Sequence, residues 1–392
     1  MPFRKYANPR DVAPMFDAFD HAMMARAIRL GEQARGLATP NPHVGCVIVK
    51  HNKIIGEGCT QLGGRPHAEA EALARCSESP QGATVYTSLE PCFLHAGSRG
   101  PACSDLLAAA RVARVVSALH DPFHGVDGNG HRRLQEVGIR VEIGLMETSA
   151  RASLRGFLSR VTRGRPWVCL KIAASIDGGT ALADGESKWI TGDEARRDVH
   201  RLRARACAVM TGIGTIVADD PQLNVRDIAC KRQPLRIVLD TALTISDDRR
   251  ILSGDNLLIV TANGQEERQR ELELRGISVL RAPLDTASGK IDLVKTMQLL
   301  GARGLNEIWV EAGATLNGAL LKAGVVDEIV VYLAPKLMGD TARGWFALGQ
   351  PTNLQQLTRM KWCDIRQVGN DLRVTAEPIE EKNPIVPTNA II

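Results

Sequence analysis

Aromatic side chains are scarce in this 392-residue chain, with Trp, Tyr and Phe together at 4%. That scarcity argues against a platform on which nucleic-acid bases stack. Charge of one sign is scarce too. A net +5 is small and scattered, too little to demand a polyanionic partner, although it suits an anionic small molecule. No apolar run approaches the roughly 18–20 residues needed to cross a bilayer, and the opening "MPFRKYANPRDVAPMFDAFD" has no apolar segment of the secretory kind. No membrane or nucleic-acid partner is therefore expected. Internal repeats and low-complexity tracts are missing. So is G-x-G-x-x-G, which leaves a Rossmann cofactor site unsupported. Nine cysteines, an odd count in a long chain, do not read as a disulfide framework. A cytoplasmic setting, where thiols stay reduced, is expected.

What is present points to two domains, because 392 residues exceed the size at which one hydrophobic core stops growing. At 44% apolar and 24% charged, the composition is that of ordinary globular proteins. Helical spacing runs over 15–35 and stops at Gly36. "GCVIVK" and "KIIGEGC" read as strands around a His-Asn turn, "HAEAEALARC" as a helix and "ATVYTSL" as a buried strand. Further helices are expected near 102–110 and 130–137, with strands at 114–119 and 140–145. This alternation predicts an α/β fold, its sheet mostly parallel and covered on both faces.

The basic stretch 147–165, helical at first and closed by Gly164 and Pro166, is taken as a linker between a domain at 15–146 and another at 166–378. In the second half, strands are expected at 167–175, 207–215, 235–241, 256–262, 307–313 and 328–335. Helices near 193–205, 264–275, 291–303 and 315–323 separate them, and a closing hairpin turns at Gly369-Asn370. The tail 379–392 shows no partner pattern and is expected to be disordered.

Two cysteines stand out in "LEPCFLHAGSRGPAC": Cys92, directly after Pro91, and Cys103. Upstream, "HAE" at 67–69 opens a helix. The order H-x-E…P-C…C is that of zinc-dependent base deaminases. Catalytic zinc takes three protein ligands, here His67, Cys92 and Cys103, and leaves a fourth position to water, whose pKa it lowers. Glu69 would carry the proton from that water to a ring nitrogen and the departing amine. Residues two apart on a regular helix point to nearly opposite sides. The pair works only if His67 sits at the helix cap and Glu69 projects from the first turn. Any one of these residues alone is more often a capping histidine, a solvated carboxylate or a core cysteine. All of them in this order, each at an element end, are not.

Over roughly residues 20–375 the chain resembles the bifunctional riboflavin-biosynthesis deaminase/reductase family. The resemblance is carried by "TPNPHVGCVIV", "GGRPHAEAEAL", "TSLEPC", "LKIAASIDG", "GESKWITGDEAR", "GTIVADDPQLNVR" and "VDEIVVYLAPKLMG". It implies a cytidine-deaminase-like zinc domain followed by a dihydrofolate-reductase-like NADPH domain. The implied substrate is a small phosphorylated pyrimidine, first deaminated and then reduced from ribosyl to ribityl, in a homo-oligomer. The same resemblance matches His67, Cys92 and Cys103 to the zinc ligands, Glu69 to the proton shuttle and Asn41 to a pyrimidine contact. For the reductase it implies Ser187, Arg203, Leu223, Arg226 and Glu311 at the substrate, the two arginines at its phosphate. Ala173, Trp189, Thr215, Asp219 and Gly313 are implied at the cofactor. Arg suits phosphate because its planar fork binds two oxygens at once.

The departures from the family pattern gather around the deaminase pocket. Ten residues separate Cys92 from Cys103 where the family has eight, and Phe93-Leu94 replace Ser-His. Thr60 stands where a histidine is common, and "DPFHGVDGNG", with Phe123, replaces an Asp-Pro-Asn-Pro start. Gly179 replaces an arginine in the reductase half. These changes imply an altered substrate fit: either weak deamination of the usual intermediate or a compensating contact from the widened loop, through His95 and Arg99. A paralogue serving a toxoflavin-type branch pathway is an alternative. A deaminase of nucleic-acid bases is disfavoured by the scarce aromatics and the long cysteine spacing. A zinc-stabilised scaffold without activity is disfavoured by Glu69, which a structural site would not need.

Overall fold

The computed structural model describes residues 16–94, 100–350 and 352–379. The chain divides into two compact units, Met1–Arg163 and Gly164–Ile392. Among the described residues no helix is long and apolar enough to cross a membrane.

The first unit begins with helix α1 (Ala18–Glu32), started by a reciprocal capping box between Asp17 and Asp20. Strands β1 (Gly45–Lys50) and β2 (Lys53–Cys59) form an antiparallel hairpin. Its turn residues His51 and Asn52 both take positive φ, 49° and 58°, as a tight two-residue hairpin turn requires. Then follow α2 (Ala68–Ala74), β3 (Thr84–Thr87), α3 (Cys103–Ala109), β4 (Arg114–Ser117), α4 (Asn129–Glu136), β5 (Arg140–Ile143), α5 (Glu147–Ser153) and α6 (Arg155–Arg163). The sheet order is β2-β1-β3-β4-β5, antiparallel across the first three strands and parallel across the last three.

Strand alternation decides which helix covers which face. A Cβ on Gly45 would strike the backbone of α1, and one on Gly58 would strike that of α2. Gly58 pairs with Cys46, the neighbour of Gly45, so the two glycines face opposite ways and helices cover both sides. Residues 147–163, expected as a partly helical linker, fold as α5 and α6 within the first unit. Their Ala150, Leu154 and Phe157 are buried in this unit's core. Their amphipathic spacing demands a partner surface, which a free connector would not supply.

In the second unit come β6 (Trp167–Ser175), α7 (Asp193–Arg205), β7 (Ala208–Gly212), α8 (Ile213–Asp219), β8 (Leu235–Leu239), β9 (Leu257–Thr261), α9 (Glu266–Leu274) and β10 (Ser278–Arg281). A small hairpin of β11 (Leu284–Asp285) and β12 (Lys290–Ile291) leads to α10 (Leu293–Ala302), β13 (Glu307–Glu311), α11 (Ala314–Lys322) and β14 (Glu328–Ala334). The closing hairpin is β15 (Met360–Val368) and β16 (Asp371–Pro378). The expected strand at 207–215 ends at Gly212, which caps α8, so Ile213 to Thr215 are helical.

The nine strands run β10-β9-β8-β7-β13-β6-β14-β16-β15, all parallel up to β14. Val168, Leu170, Ile172 and Ala174 of β6 enter one core, and Cys169 enters the other. Burial on both faces explains the nearly unbroken apolar run. Because β6, β7 and β13 are parallel neighbours, their carboxyl ends share one edge of the sheet, the usual place for ligands in such folds. All of the tail beyond Ile379 lies outside the described residues.

Candidate functional sites in the two units

In the first unit the site gathers at the carboxyl end of β3 and the N-terminal ends of α2 and α3. His67 is the N-cap of α2, with φ −71° and ψ 165°. Its extended backbone releases the imidazole from the helical twist while Glu69 projects from the first turn, as the spacing required. Cys92 Sγ lies 3.4 Å and Cys103 Sγ 3.5 Å from His67 Nδ1. The backbone N–H of Cys103 donates to Cys92 Sγ at 3.2 Å. The Cys103 thiol beside Cys92 holds the Cys92 pKa down at about 4, helped by His67 against the effect of burial. That same contact, with burial, pushes Cys103 up. One sulfur thus rests as a thiolate close to an imidazole.

Two soft sulfurs and one imidazole nitrogen are a donor set that suits zinc. Among the described residues no fourth histidine, cysteine or carboxylate joins them. A three-ligand set leaves a coordination position open, which is the catalytic pattern. Glu69 is buried, and its Oε1 lies 2.9 Å from the Thr87 hydroxyl, which also faces Leu89 O at 3.0 Å. Burial raises the Glu69 pKa, and the charge of Cys92 adds to it. The Asn41 amide donates to Gly64 O at 3.0 Å and stands 3.3 Å from His67 Nε2, at the rim of the cluster.

The residues that depart from the family pattern lie in several settings. Thr60 is buried. Its hydroxyl donates to Pro42 O and accepts from Val44 N–H, both at 3.0 Å. It ties down the loop that carries Asn41. Phe123 packs against the first unit's core and lies 4.5 Å, ring to ring, from His124. Leu94 is exposed and Phe93 half-buried. His95 and Arg99 lie outside the described residues. Two groups were missed by sequence reasoning: Thr87, which holds Glu69, and Asp121, whose pKa burial raises to about 7, helped by Glu90. No spacing signal marked either.

In the second unit the residues expected at substrate and cofactor fall on β6, α7 and α8, at the carboxyl end of β13, at the start of α11 and in the loops 176–192 and 220–234. Ala173 is on β6, opposite Tyr332 of β14. Thr215 and Asp219 are on α8, and Gly313 caps α11 with open space around it. Lys188, between Ser187 and Trp189, donates from Nζ to Asp219 O at 3.3 Å, joining that loop to α8. Trp189 is 60% exposed, so it is not core. The Arg196 guanidinium stacks 4.6 Å from its ring centroid, a cation–π contact. Trp189, Thr191, Arg196, Lys336 and Asp371 line a groove of about 340 Å³.

Two of the residues expected at the substrate are engaged by the protein itself. Arg203 is bidentate on Glu311, with Nη2 to Oε2 at 2.7 Å, and donates from Nη1 to Asn224 O at 2.9 Å. Its fork engages Glu311 and the Asn224 carbonyl. The Glu311 carboxylate also accepts from the Trp309 indole at 3.0 Å. Burial opposes its charge, but Arg203 outweighs burial and holds the pKa at about 2. Leu223 is buried in the core at φ 53°. Arg226 is exposed, and its backbone N–H donates to His200 Nδ1 at 3.4 Å.

Lys171 was missed. It pairs with Glu311 across β6 and β13, and burial, with the Arg203 charge, lowers its pKa against the pull of Glu311. A lysine in the middle of "WVCLKIAAS" was the available signal. Gly179 packs so closely that a Cβ would stand 2.8 Å from Met338 Sδ and 2.9 Å from Ala342 Cβ, leaving no room for the expected arginine.

Comparison with known proteins agrees in both units. Residues 166–374 match the family model "RibD C-terminal domain", and residues 17–119 match "Cytidine and deoxycytidylate deaminase zinc-binding region". The riboflavin biosynthesis protein RibD of Escherichia coli (strain K12) is 44% identical over 365 residues, spanning 90% of this chain and 98% of that protein. Its counterpart in Haemophilus influenzae is 39% identical, spanning 93% and 98%. The solved RibD of Acinetobacter baumannii superposes with a TM-score of 0.83 at 40% identity, covering 92% of this chain and 99% of that one. A diaminohydroxyphosphoribosylaminopyrimidine deaminase/5-amino-6-(5-phosphoribosylamino)uracil reductase from Thermotoga maritima superposes at 0.80 with 28% identity, over 92% and 99%.

Proposed function

The chain belongs to the RibD family of bifunctional riboflavin-biosynthesis deaminase/reductases, and on that premise we propose a residue-level division of labour between its two units. The first unit deaminates a diaminohydroxy-phosphoribosylaminopyrimidine. His67, Cys92 and Cys103 would hold zinc, whose chemistry is to lower the pKa of water toward about 7. Glu69 takes the proton released in hydrolysis and returns it to the ring nitrogen and the departing amine. Its burial supports this role, since a carboxyl with a raised pKa both accepts and releases a proton readily. Thr87 holds Glu69 in place, and Asn41 orients the pyrimidine.

The second unit reduces the ribosyl group to ribityl with NADPH, which supplies the hydride. Hydride addition at the anomeric carbon breaks that carbon's bond to the ring oxygen, and the oxygen then needs a proton. Lys171, desolvated beside Glu311, is the group best suited to give it. Arg203 fixes Glu311, so Glu311 holds Lys171 more than it holds substrate. Arg226, exposed and weakly engaged, takes the phosphate. Trp189 and the backbone at Gly313, with Ala173, Thr215 and Asp219, receive the cofactor, and Ser187 the substrate.

The cytoplasm, where Cys92 and Cys103 stay reduced, suits the first site. The exposed Trp362 and Ile365 on the outer strand β15 suit a homo-oligomer. A small phosphorylated pyrimidine, with no nucleic-acid partner, is consistent with the modest positive charge.

The observation that carries this reading is the three-ligand cluster with buried Glu69 beside it. The test supplies diaminopyrimidine phosphoriboside and NADPH, then follows ammonia and NADPH absorbance separately. A chelator should stop ammonia release and leave reduction of the already deaminated substrate intact. Loss of both together would sink the division of labour.

A further inference from the structure

On the reading that the first unit deaminates a phosphorylated pyrimidine, we propose that Arg65 takes the phosphate of that substrate at the rim of the His67, Cys92 and Cys103 cluster. The backbone that carries Arg65 is fixed on both sides. A single 3-10 turn, Leu62–Gly64, ends just before it. Gly63 N–H donates to Leu37 O, and the Asn41 amide donates to Gly64 O, both at 3.0 Å. Beyond it, Pro66 O accepts from Gln61 N–H at 3.0 Å. Gly64 has φ 90°, and a Cβ there would stand 2.6 Å from Asn41 Cγ, so only glycine lets this segment press against Asn41. Arg65 is thus seated between the expected pyrimidine contact and His67, two positions further on.

The side chain reaches toward the other ligands. A Cβ on Gly100 would stand 3.3 Å from Arg65 Nη1, and Gly100 lies three positions before Cys103. The guanidinium charge is felt at the His67 imidazole. The fork therefore spans from the Asn41 side of the cluster to the chain that enters Cys103. It is also unengaged. Among the described residues Arg65 has no hydrogen bond and no ion pair. Arg26, Arg75, Arg114 and Arg151 of the same unit are each paired with a carboxylate.

Electrostatics gives that free cation a task. A phosphate monoester carries a charge of about −1.5 to −2 at neutral pH. Cysteines bind metal as thiolates, and two of them offset the charge of a divalent ion. Glu69 adds negative charge whenever it is ionised. The cluster itself therefore holds no net attraction for a phosphate. Phe93 and Leu94, directly after Cys92, offer no side-chain donor. A half-buried arginine supplies what is lacking, because its planar fork gives a phosphate two parallel N–H bonds.

The test follows ammonia release by the full-length, zinc-loaded chain from diaminopyrimidine phosphoriboside and from the same riboside without its phosphate. Arg65→Ala should raise KM for the phosphorylated substrate about 10–100-fold, as loss of a hydrogen bond between charged groups does. Its kcat should stay near wild type, and KM for the dephosphorylated riboside should not move. Arg65→Lys keeps the charge without the fork and should recover part of the loss. Ribose 5-phosphate should inhibit the wild type and Arg65→Lys far better than Arg65→Ala. Unchanged zinc content and NADPH oxidation show that each variant is folded. Equal KM values for wild type and Arg65→Ala on the phosphorylated substrate overturn the proposal. So does a rise shared equally by both substrates, which would make Arg65 a strut for the loop at Gly100. A wild-type chain that releases ammonia from neither substrate removes the deaminase reading itself, and this assignment with it.

Discussion

Arg203 and Glu311, 108 positions apart, meet as a two-pronged ion pair that joins α7 to the end of β13. Both side chains are largely buried, and the Trp309 indole shares the carboxylate. Breaking a buried pair by removing one partner costs about 3–5 kcal/mol, because the other charge is left uncompensated. Arg203→Ala should therefore lower the urea midpoint strongly. Arg203→Lys, which keeps the charge but loses the fork, should slow NADPH oxidation more than it weakens binding of the phosphorylated substrate. A Lys variant with unchanged stability and a raised KM only for phosphorylated substrate would restore Arg203 as the phosphate anchor.

Glu69→Gln removes the proton carrier and keeps both the shape and the bond from Thr87. Ammonia release should fall by about 10²–10⁴-fold, the usual contribution of a general acid–base group. Zinc content and reduction of deaminated substrate should not change. Wild-type ammonia release from the Gln variant is the result that ends the shuttle assignment.

Thr60→Val tests whether that residue faces substrate or holds the Asn41 loop. Loss of the hydroxyl takes a partner from the half-buried Pro42 O and strands the buried Val44 N–H, and a buried group left unpaired costs about 1–3 kcal/mol. A lower melting temperature and a raised KM for deamination are expected together. Altered substrate preference at unchanged stability would put Thr60 back in the pocket.

His200 gives a pH signature. Burial lowers its pKa to about 4, and the charges of Arg203 and Arg226 add to that. The ordinary value is about 6.5, so between those values the unfolded chain binds more protons, and stability rises with pH. The His200 contribution is present above about 6.5 and is lost as pH falls toward 4. His200→Gln should flatten the denaturant midpoint across pH 4.5–6.5 relative to wild type, as read by urea melts. An identical slope in both proteins would rule His200 out as its source.

The sequence by itself determined the elements and the chemistry that depends on near neighbours. Strand and helix alternation follows from the period of apolar residues. His67 and Glu69 could be read as a cap and a first-turn residue because two positions fix their relative direction once the helix start is known. Cys92 and Cys103 were legible for the same reason, each at an element end. The family motifs, being contiguous, carried the deaminase and reductase identities.

Only the tertiary structure decided which distant side chains face each other. The order β7-β13-β6 brings Lys171 beside Glu311 and lets Arg203 reach that carboxylate, an ion pair no sequence spacing announced. The fold of the 120–131 segment over Glu90 gathers two histidines eleven positions apart around one oxygen. Thr60 became a latch because β2 returns beside the Asn41 loop. Periodicity fixes which way a side chain points within its own element. What it meets depends on strand order, register and loop path, and those are set by packing across the whole chain.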